Sequence, residues 1–267
     1  MAEILKPDIC VIGGGSGGLS VAAAAAAFGV PVVLVERHKM GGDCLNTGCV
    51  PSKALLAAAK RAELMRSAGP FGVTAQAVDV DFAKVHDHVQ RVIAAIAPTD
   101  SAERFAGLGV RVIKGHAKFK DRRTVVVGDE VEIRARRFVI ATGSTPALPP
   151  IPGLDEGPYL TNETVFSLSD RPDGLIIIGA GPVGLEMAQA FRRLGSAVTV
   201  LEAAAPLAKD DPECAAIVID QLDREGVVIR SGVKVVRVKH ASGGVAVTFE
   251  GSGGEETIEG RYLLVEK

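Results

Sequence analysis

A chain that spells out the same strand, glycine loop, helix and strand twice has few folds open to it, and this one does so. Residues 8–13 (DICVIG) form a short β-type run ending in glycine, residues 175–179 (LIIIG) form another, and both open a helical stretch. Each loop reads G-x-G-x-x-G, with Gly13, Gly15 and Gly18 in one copy and Gly179, Gly181 and Gly184 in the other. A single match means little, because 31 glycines in 267 residues yield about 0.4 such matches by chance. Register supplies the weight. Gly29 lies as far beyond Gly13 as Gly195 lies beyond Gly179, each at a helix C-cap position. The next β-type runs, 32–36 (VVLVE) and 198–202 (VTVLE), end in Glu36 and Glu202, again at one common offset.

The physical sense of this unit is specific. A diphosphate needs bare backbone N–H groups at a helix N-terminus, where the helix dipole also favours an anion. The acid ending the next strand accepts hydrogen bonds from an adenosine ribose. Both units are therefore read as dinucleotide sites, and the fold class as α/β with two Rossmann-like domains. Glu202 repels a 2′-phosphate, and the residues after it, AAAPL, offer no arginine to receive one. The second site is expected to prefer NAD(H) to NADP(H). The proline-dense stretch 144–153 (STPALPPIPG) reads as a semi-rigid connector, which divides the chain into domains 1–150 and 151–267. Within them the pattern predicts helices over 51–68, 82–108 and 212–225. Strands are expected over 110–113, 124–127, 131–140, near 227, and over 233–238, 245–249 and 262–265.

Composition removes other classes. With 47% hydrophobic and 23% charged residues, and 30 basic against 32 acidic side chains, the chain has neither the bias of disorder nor a basic footprint for nucleic acid or anionic membrane. Aromatic residues at 4% with no Trp leave no stacking platform for single strands. The alanine-rich run 21–35 is interrupted by Gly29 and Pro31 and falls short of the roughly 18 residues of a membrane span. Four cysteines and an N-terminus without a signal pattern point to the cytoplasm.

The chemistry lies in 41–53, GGDCLNTGCVPSK. Cys44 and Cys49, just before a helix that Pro51 can begin, invite a reversible disulfide, with the helix N-terminus and the Lys53 ammonium favouring a thiolate. A zinc reading of Cys44, Cys49 and His38 lacks a fourth ligand, so no metal is assigned. Cys10, in an apolar strand, and Cys214, on an amphipathic helix, are expected to be core residues.

These residues carry a resemblance. GGDCLNTGCVPSKALL, with ATGSTP at 141–146 and GPVGLE at 181–186, is similar to the signatures of the class I pyridine nucleotide–disulfide oxidoreductases, which include dihydrolipoamide dehydrogenase, glutathione reductase and mercuric reductase. The resemblance implies FAD on the first unit, contacted by Gly13, Gly15, Gly18, Glu36, Gly41, Gly42, Asp43, Cys44, Lys53, Ala117, Ala141, Thr142 and Gly143. It implies NAD(P)H on the second, contacted by Gly179, Gly181, Pro182, Val183, Gly184, Glu186, Glu202 and Val235. Cys49 then takes the charge-transfer role and Cys44 the interchange role, with Lys53 near the flavin and paired to Glu186. Hydride is expected to pass from NADH to flavin and then to the Cys44–Cys49 pair, serving a small-molecule disulfide or dithiol as in dihydrolipoamide dehydrogenase. A metal ion as substrate, as in mercuric reductase, and a silent dinucleotide-binding fragment are the alternatives. Asp43 stands where the family usually has threonine. Family members continue beyond the strand at 262–265 into a return to the FAD domain and a domain that forms a homodimer, so the C-terminal dimerisation domain is expected to be absent here.

Overall fold

The computed structural model describes residues 2–74 and 77–266. The chain forms two compact units. One takes in the chain up to Pro51 together with Gln90–Thr145, and the other takes in Ser52–Val89 together with the chain from Pro146 onward.

Strands β1 (Glu3–Leu5) and β2 (Ile9–Ile12) lead into helix α1 (Ser16–Ala27) and strand β3 (Val32–Glu36). Helices α2 (Gly42–Asn46), α3 (Cys49–Arg66), α4 (Phe82–Ile96) and α5 (Ala102–Gly107) follow, then β4 (Arg111–Lys114). Three strands, β5 (Ala117–Asp121), β6 (Thr124–Val127) and β7 (Val131–Ile133), precede β8 (Arg137–Ile140). The first unit has a parallel sheet in the order β4-β3-β2-β8 and a second sheet, β1-β7-β6-β5, that is antiparallel except for β1 beside β7. A parallel strand covered on both faces must be apolar almost throughout, which is why β2 and β3 carry unbroken apolar runs. On one face Leu19, Ala22 and Ala25 of α1 and Phe105 of α5 pack with Val11 and Leu34; on the other, Cys10, Val33 and Val35 pack with Val125, Val127 and Ile133. Burial pushes the Cys10 thiol up to about 12, which fits an apolar core role.

The second unit repeats the plan. It runs through β9 (Gly174–Ile178), α6 (Pro182–Arg193), β10 (Ala197–Glu202), α7 (Pro212–Arg224) and β11 (Val228–Ser231). Strands β12 (Lys234–Ala241), β13 (Gly244–Gly251) and β14 (Gly254–Gly260) then form an antiparallel meander before β15 (Tyr262–Val265). The parallel sheet is β11-β10-β9-β15, so in both units the first strand sits between the second and the fourth, and the antiparallel strands are inserted between the third and the fourth. One face of this sheet, with Ile176, Ile178, Leu201, Leu263 and Val265, packs on Val238, Val245, Val247 and Phe249 of the meander. Helix α6 packs against β9 and β10. Among the described residues no helix is long and apolar enough to cross a membrane.

Several expectations need correction. The continuous helix over 82–108 is three pieces, because Pro98 has no N–H to continue the ladder. A 3-10 turn at Ala97–Asp100 interrupts it, and Ser101 restarts it by accepting a hydrogen bond from the Arg104 N–H at 3.1 Å. The single strand over 131–140 is β7 and β8, in different sheets, with the break where Arg134 and Arg136 donate their N–H groups to the carbonyls of Leu5 and Pro7. Cys214 is exposed rather than in the core, since α7 turns Ala215 and Leu222 inward instead.

Among the described residues of the second unit, Arg193 and Glu225 form a buried ion pair. In the last turn of α6, Arg193 donates Nε to Glu225 Oε2 at 2.7 Å and Nη2 to Oε1 at 2.6 Å, and Gln189 and Gln221 donate to Oε1 as well. The side chains of Arg193 and Glu225 are only 16% and 6% exposed. Losing one partner of a buried pair leaves an uncompensated charge. The substitution Arg193→Met is expected to lower stability by about 3–5 kcal/mol, and Arg193→Met with Glu225→Met by much less. Urea unfolding followed by circular dichroism measures both, and equal losses in the single and double variants contradict the assignment.

Candidate functional site

In each unit the first motif glycine lies directly under a carbonyl from the end of the fourth strand. Gly13 has φ +110°, and a Cβ placed on it would stand 2.1 Å from the Ala141 oxygen; Gly179 has φ +113°, and its Cβ would stand 1.8 Å from the Glu266 oxygen. No side chain fits either place. The same holds for the third glycines, since a Cβ on Gly18 would reach 1.9 Å from the Gly13 oxygen and one on Gly184 2.2 Å from the Gly179 oxygen. The strand, loop and helix are thus drawn together as tightly as backbone allows. The middle glycines play a different part. Gly15 and Gly181 are the N-caps of α1 and α6, in extended conformation and with no side-chain cap, so the first N–H groups of both helices are left for an outside acceptor. Pro182 occupies the first turn of α6, where its missing N–H costs no hydrogen bond, and Val183 beside it is exposed.

The two acids repeat atom for atom. Glu36 accepts from the N–H of Gly14 at 2.5 Å and of His38 at 2.6 Å, and Glu202 accepts from Ala180 at 2.8 Å and Ala204 at 2.9 Å. Each carboxylate is thereby fixed at the loop, with lone pairs remaining for hydroxyl donors.

Beyond β3 the chain folds back over the first loop. The N–H of Gly41 donates to the Gly14 carbonyl at 2.8 Å, and Gly42, also left-handed, comes so close to Gly15 that a Cβ on it would lie 2.6 Å from the Gly15 Cα. Helix α2 carries Asp43 and Cys44, and is latched by Asn46, whose amide donates to the Met40 and Gly42 carbonyls at 3.1 and 2.8 Å. Cys49 opens α3. Cys44 is half-buried and Cys49 exposed, and the two are thiols rather than a disulfide in this structure. Their side chains meet. A side-chain hydrogen bond with Cys49 pushes the Cys44 thiol above its ordinary range, with burial and charge on Cys49 adding to the rise. In the second unit Lys53 Nζ lies 2.6 and 2.8 Å from the two oxygens of Glu186, so its ammonium is held by that carboxylate.

The remaining predicted residues fall in different surroundings. Thr142 and Gly143 follow Ala141 after β8, and Gly143 faces Asp43, whose Oδ2 is 3.7 Å from where its Cβ would be. Ala117 begins β5 opposite Val127 and packs on the core of the first unit. Val235, on β12 opposite Phe249, packs on the core of the second. Sequence reasoning passed over Leu207, which has φ +52° and donates its N–H to the Ala180 carbonyl at 3.0 Å, the contact that Gly41 makes with Gly14 in the first copy. Carrying the repeat past Glu202 at the same offset would have found it.

A family model described as pyridine nucleotide-disulphide oxidoreductase matches residues 7–266. The chain belongs to that family. Among its relatives, mercuric reductase of Streptomyces lividans is 35% identical over 263 residues, and dihydrolipoyl dehydrogenase of Geobacillus stearothermophilus is 34% identical over 267. These alignments take in 97% and 98% of this chain and 56% of each relative, so the chain spans little more than half their length. A solved structure of the Cu(II) complex of the HOCl-induced flavoprotein disulfide reductase RclA from Escherichia coli superposes with a TM-score of 0.83 at 27% identity. It covers 98% of this chain and 56% of RclA. In this member Cys44 and Cys49 bring two sulfurs into contact on the loop that follows the first cradle.

The hydrogen bond to Cys49 has a measurable consequence. Replacing Cys49 with alanine is expected to move the iodoacetamide alkylation of Cys44 in reduced protein to lower pH, because the bond that favours the protonated thiol is gone. Peptide mapping across pH 6–11 measures it, and an unchanged or upward-shifted profile contradicts the contact.

Proposed function

We propose that the protein is an NAD(H)-linked flavoprotein that interconverts a small disulfide and its dithiol, with FAD held by 1–150 and NAD(H) by 151–267. What supports this most is the joining of two features in one unit: the loop that folds over the first glycine cradle, through Gly41 and Gly42, also carries the sulfur pair. Both cradles fit a dinucleotide on the same grounds, being places where a Cβ would collide and where helix N–H groups have no side-chain cap.

FAD, when bound, supplies the two-electron chemistry that links a nicotinamide hydride to a disulfide. The chain's own residues do the rest. The N-termini of α1 and α6 receive the diphosphates, Glu36 and Glu202 orient the riboses, and the Glu202 carboxylate excludes a 2′-phosphate by charge. Glu186 holds the Lys53 ammonium in one place. Opening a Cys44–Cys49 disulfide takes up two electrons and two protons and leaves two thiols. Cys44 holds its proton the more firmly for its bond to Cys49, and must release it before its sulfur can attack another disulfide. A dihydrolipoamide-type dithiol is the proposed substrate class, since NAD(H) suits that direction. Reduction of a metal ion as substrate is a second reading, favoured by the relatives named mercuric reductase.

The test is a thiol count. Protein oxidised under mild conditions and supplied with FAD is incubated anaerobically with NADH or NADPH, and its thiols are then titrated. NADH is expected to restore two thiols per chain, mapped to Cys44 and Cys49, with NADPH at least tenfold slower. Lipoamide and Hg(II) are then offered as acceptors. A thiol count that NADH leaves unchanged, or a preference for NADPH, contradicts the proposal.

A further inference from the structure

The two cradles differ at one point of their rims. In both units the residue that donates back to the loop is left-handed, Gly41 at φ +88° and Leu207 at φ +52°, with the same hydrogen bond to Gly14 and Ala180. That bond sets the register of the residues after it. Two residues on, the first unit presents Asp43 and the second presents Lys209. Asp43 stands at the mouth of the first cradle: its neighbour Gly42 lies 3.5 Å from where a Cβ on Gly15, the N-cap of α1, would be, and its own Oδ2 faces Gly143. The carboxylate is exposed and forms no hydrogen bond or ion pair among the described residues. Position in the register places an opposite charge, Lys209, at the corresponding step of the second loop.

Resting on the reading that the first unit takes FAD, we infer that Asp43 sets the affinity of that cradle by opposing the diphosphate, so that this chain holds its flavin as an exchangeable ligand. An anion arriving at α1 is attracted by the helix N-terminus and repelled by the carboxylate at the rim. Removing the negative charge tightens binding, reversing it tightens binding further, and a divalent cation, which a carboxylate and a diphosphate can share, relieves the repulsion.

The experiment measures the FAD dissociation constant by flavin fluorescence in the full chain, in Asp43→Asn and in Asp43→Lys, with and without magnesium chloride at matched ionic strength. The expected order of affinity is Lys above Asn above Asp, with a step on the order of tenfold from Asp to Asn, the size of one charge interaction a few ångströms apart in a water-like surrounding. Magnesium is expected to tighten FAD binding to the unsubstituted chain and to leave Asp43→Asn unchanged. The magnesium comparison on the unsubstituted chain stands even where a variant does not fold. FAD bound equally well, or less well, by Asp43→Asn and an absence of any magnesium effect overturn the inference alone. A chain that binds no FAD in any form overturns the assignment of the first unit, and this inference with it.

Discussion

A carbonyl pressed onto a glycine holds each half of this protein in its working shape. The oxygen of Ala141 over Gly13, and of Glu266 over Gly179, closes the end of the fourth strand onto the loop that follows the first. The same strand ends are tied by hydrogen bonds, from the Ala141 N–H to Ile12 at 2.8 Å and from the Glu266 N–H to Ile178 at 2.9 Å. Ordinary contact begins at 3.4 Å, so a side chain at either glycine would have to push the facing carbonyl back by more than about 1 Å, and glycine also suits the positive φ there at no steric cost. The other features depend on this contact. The loop is bare, the helix behind it begins without a cap, and the acid of the second strand reaches the loop N–H groups.

The copies then diverge in what they attach to a common frame. In the first, the returning chain enters α2 and delivers Cys44 and Cys49 beside the cradle; in the second, it passes through the left-handed Leu207 into α7. A leucine at φ +52° is a strained choice, and it occupies the place that glycine holds in the first copy. Among the described residues one frame thus carries a sulfur pair and the other does not, which is the division of labour that the proposed function calls for.

Much of this was legible in the residues, for definable reasons. Strands buried on both faces read as unbroken apolar runs, and 32–36, 124–127 and 262–265 were located to the residue. The glycine loops and their acids announced themselves because backbone approach and ribose binding each demand one residue type. Other parts left no such trace. Strand β14, GEETIEG, is mostly exposed and rich in glutamate, so no hydrophobic alternation marks it. Helix α2 is too short for any period to show. Ala141 was found by its motif, but its kinship with Glu266 is visible only through strand pairing, and the opposition of Asp43 and Lys209 only once the Gly41 and Leu207 hydrogen bonds fix the register.

The central claim is that each copy of the repeat forms its own dinucleotide cradle at the start of its helix. It is tested most directly by the stoichiometry of ADP, the portion common to both nucleotides, in Gly15→Glu and Gly181→Glu. At these positions the backbone is extended and a Cβ meets nothing closer than 3.5 Å, so the fold tolerates a side chain while the cradle fills with negative charge. Equilibrium dialysis should find two ADP bound per unsubstituted chain, one in each single variant and none in the double. A single variant that loses both, or that keeps both, contradicts the account.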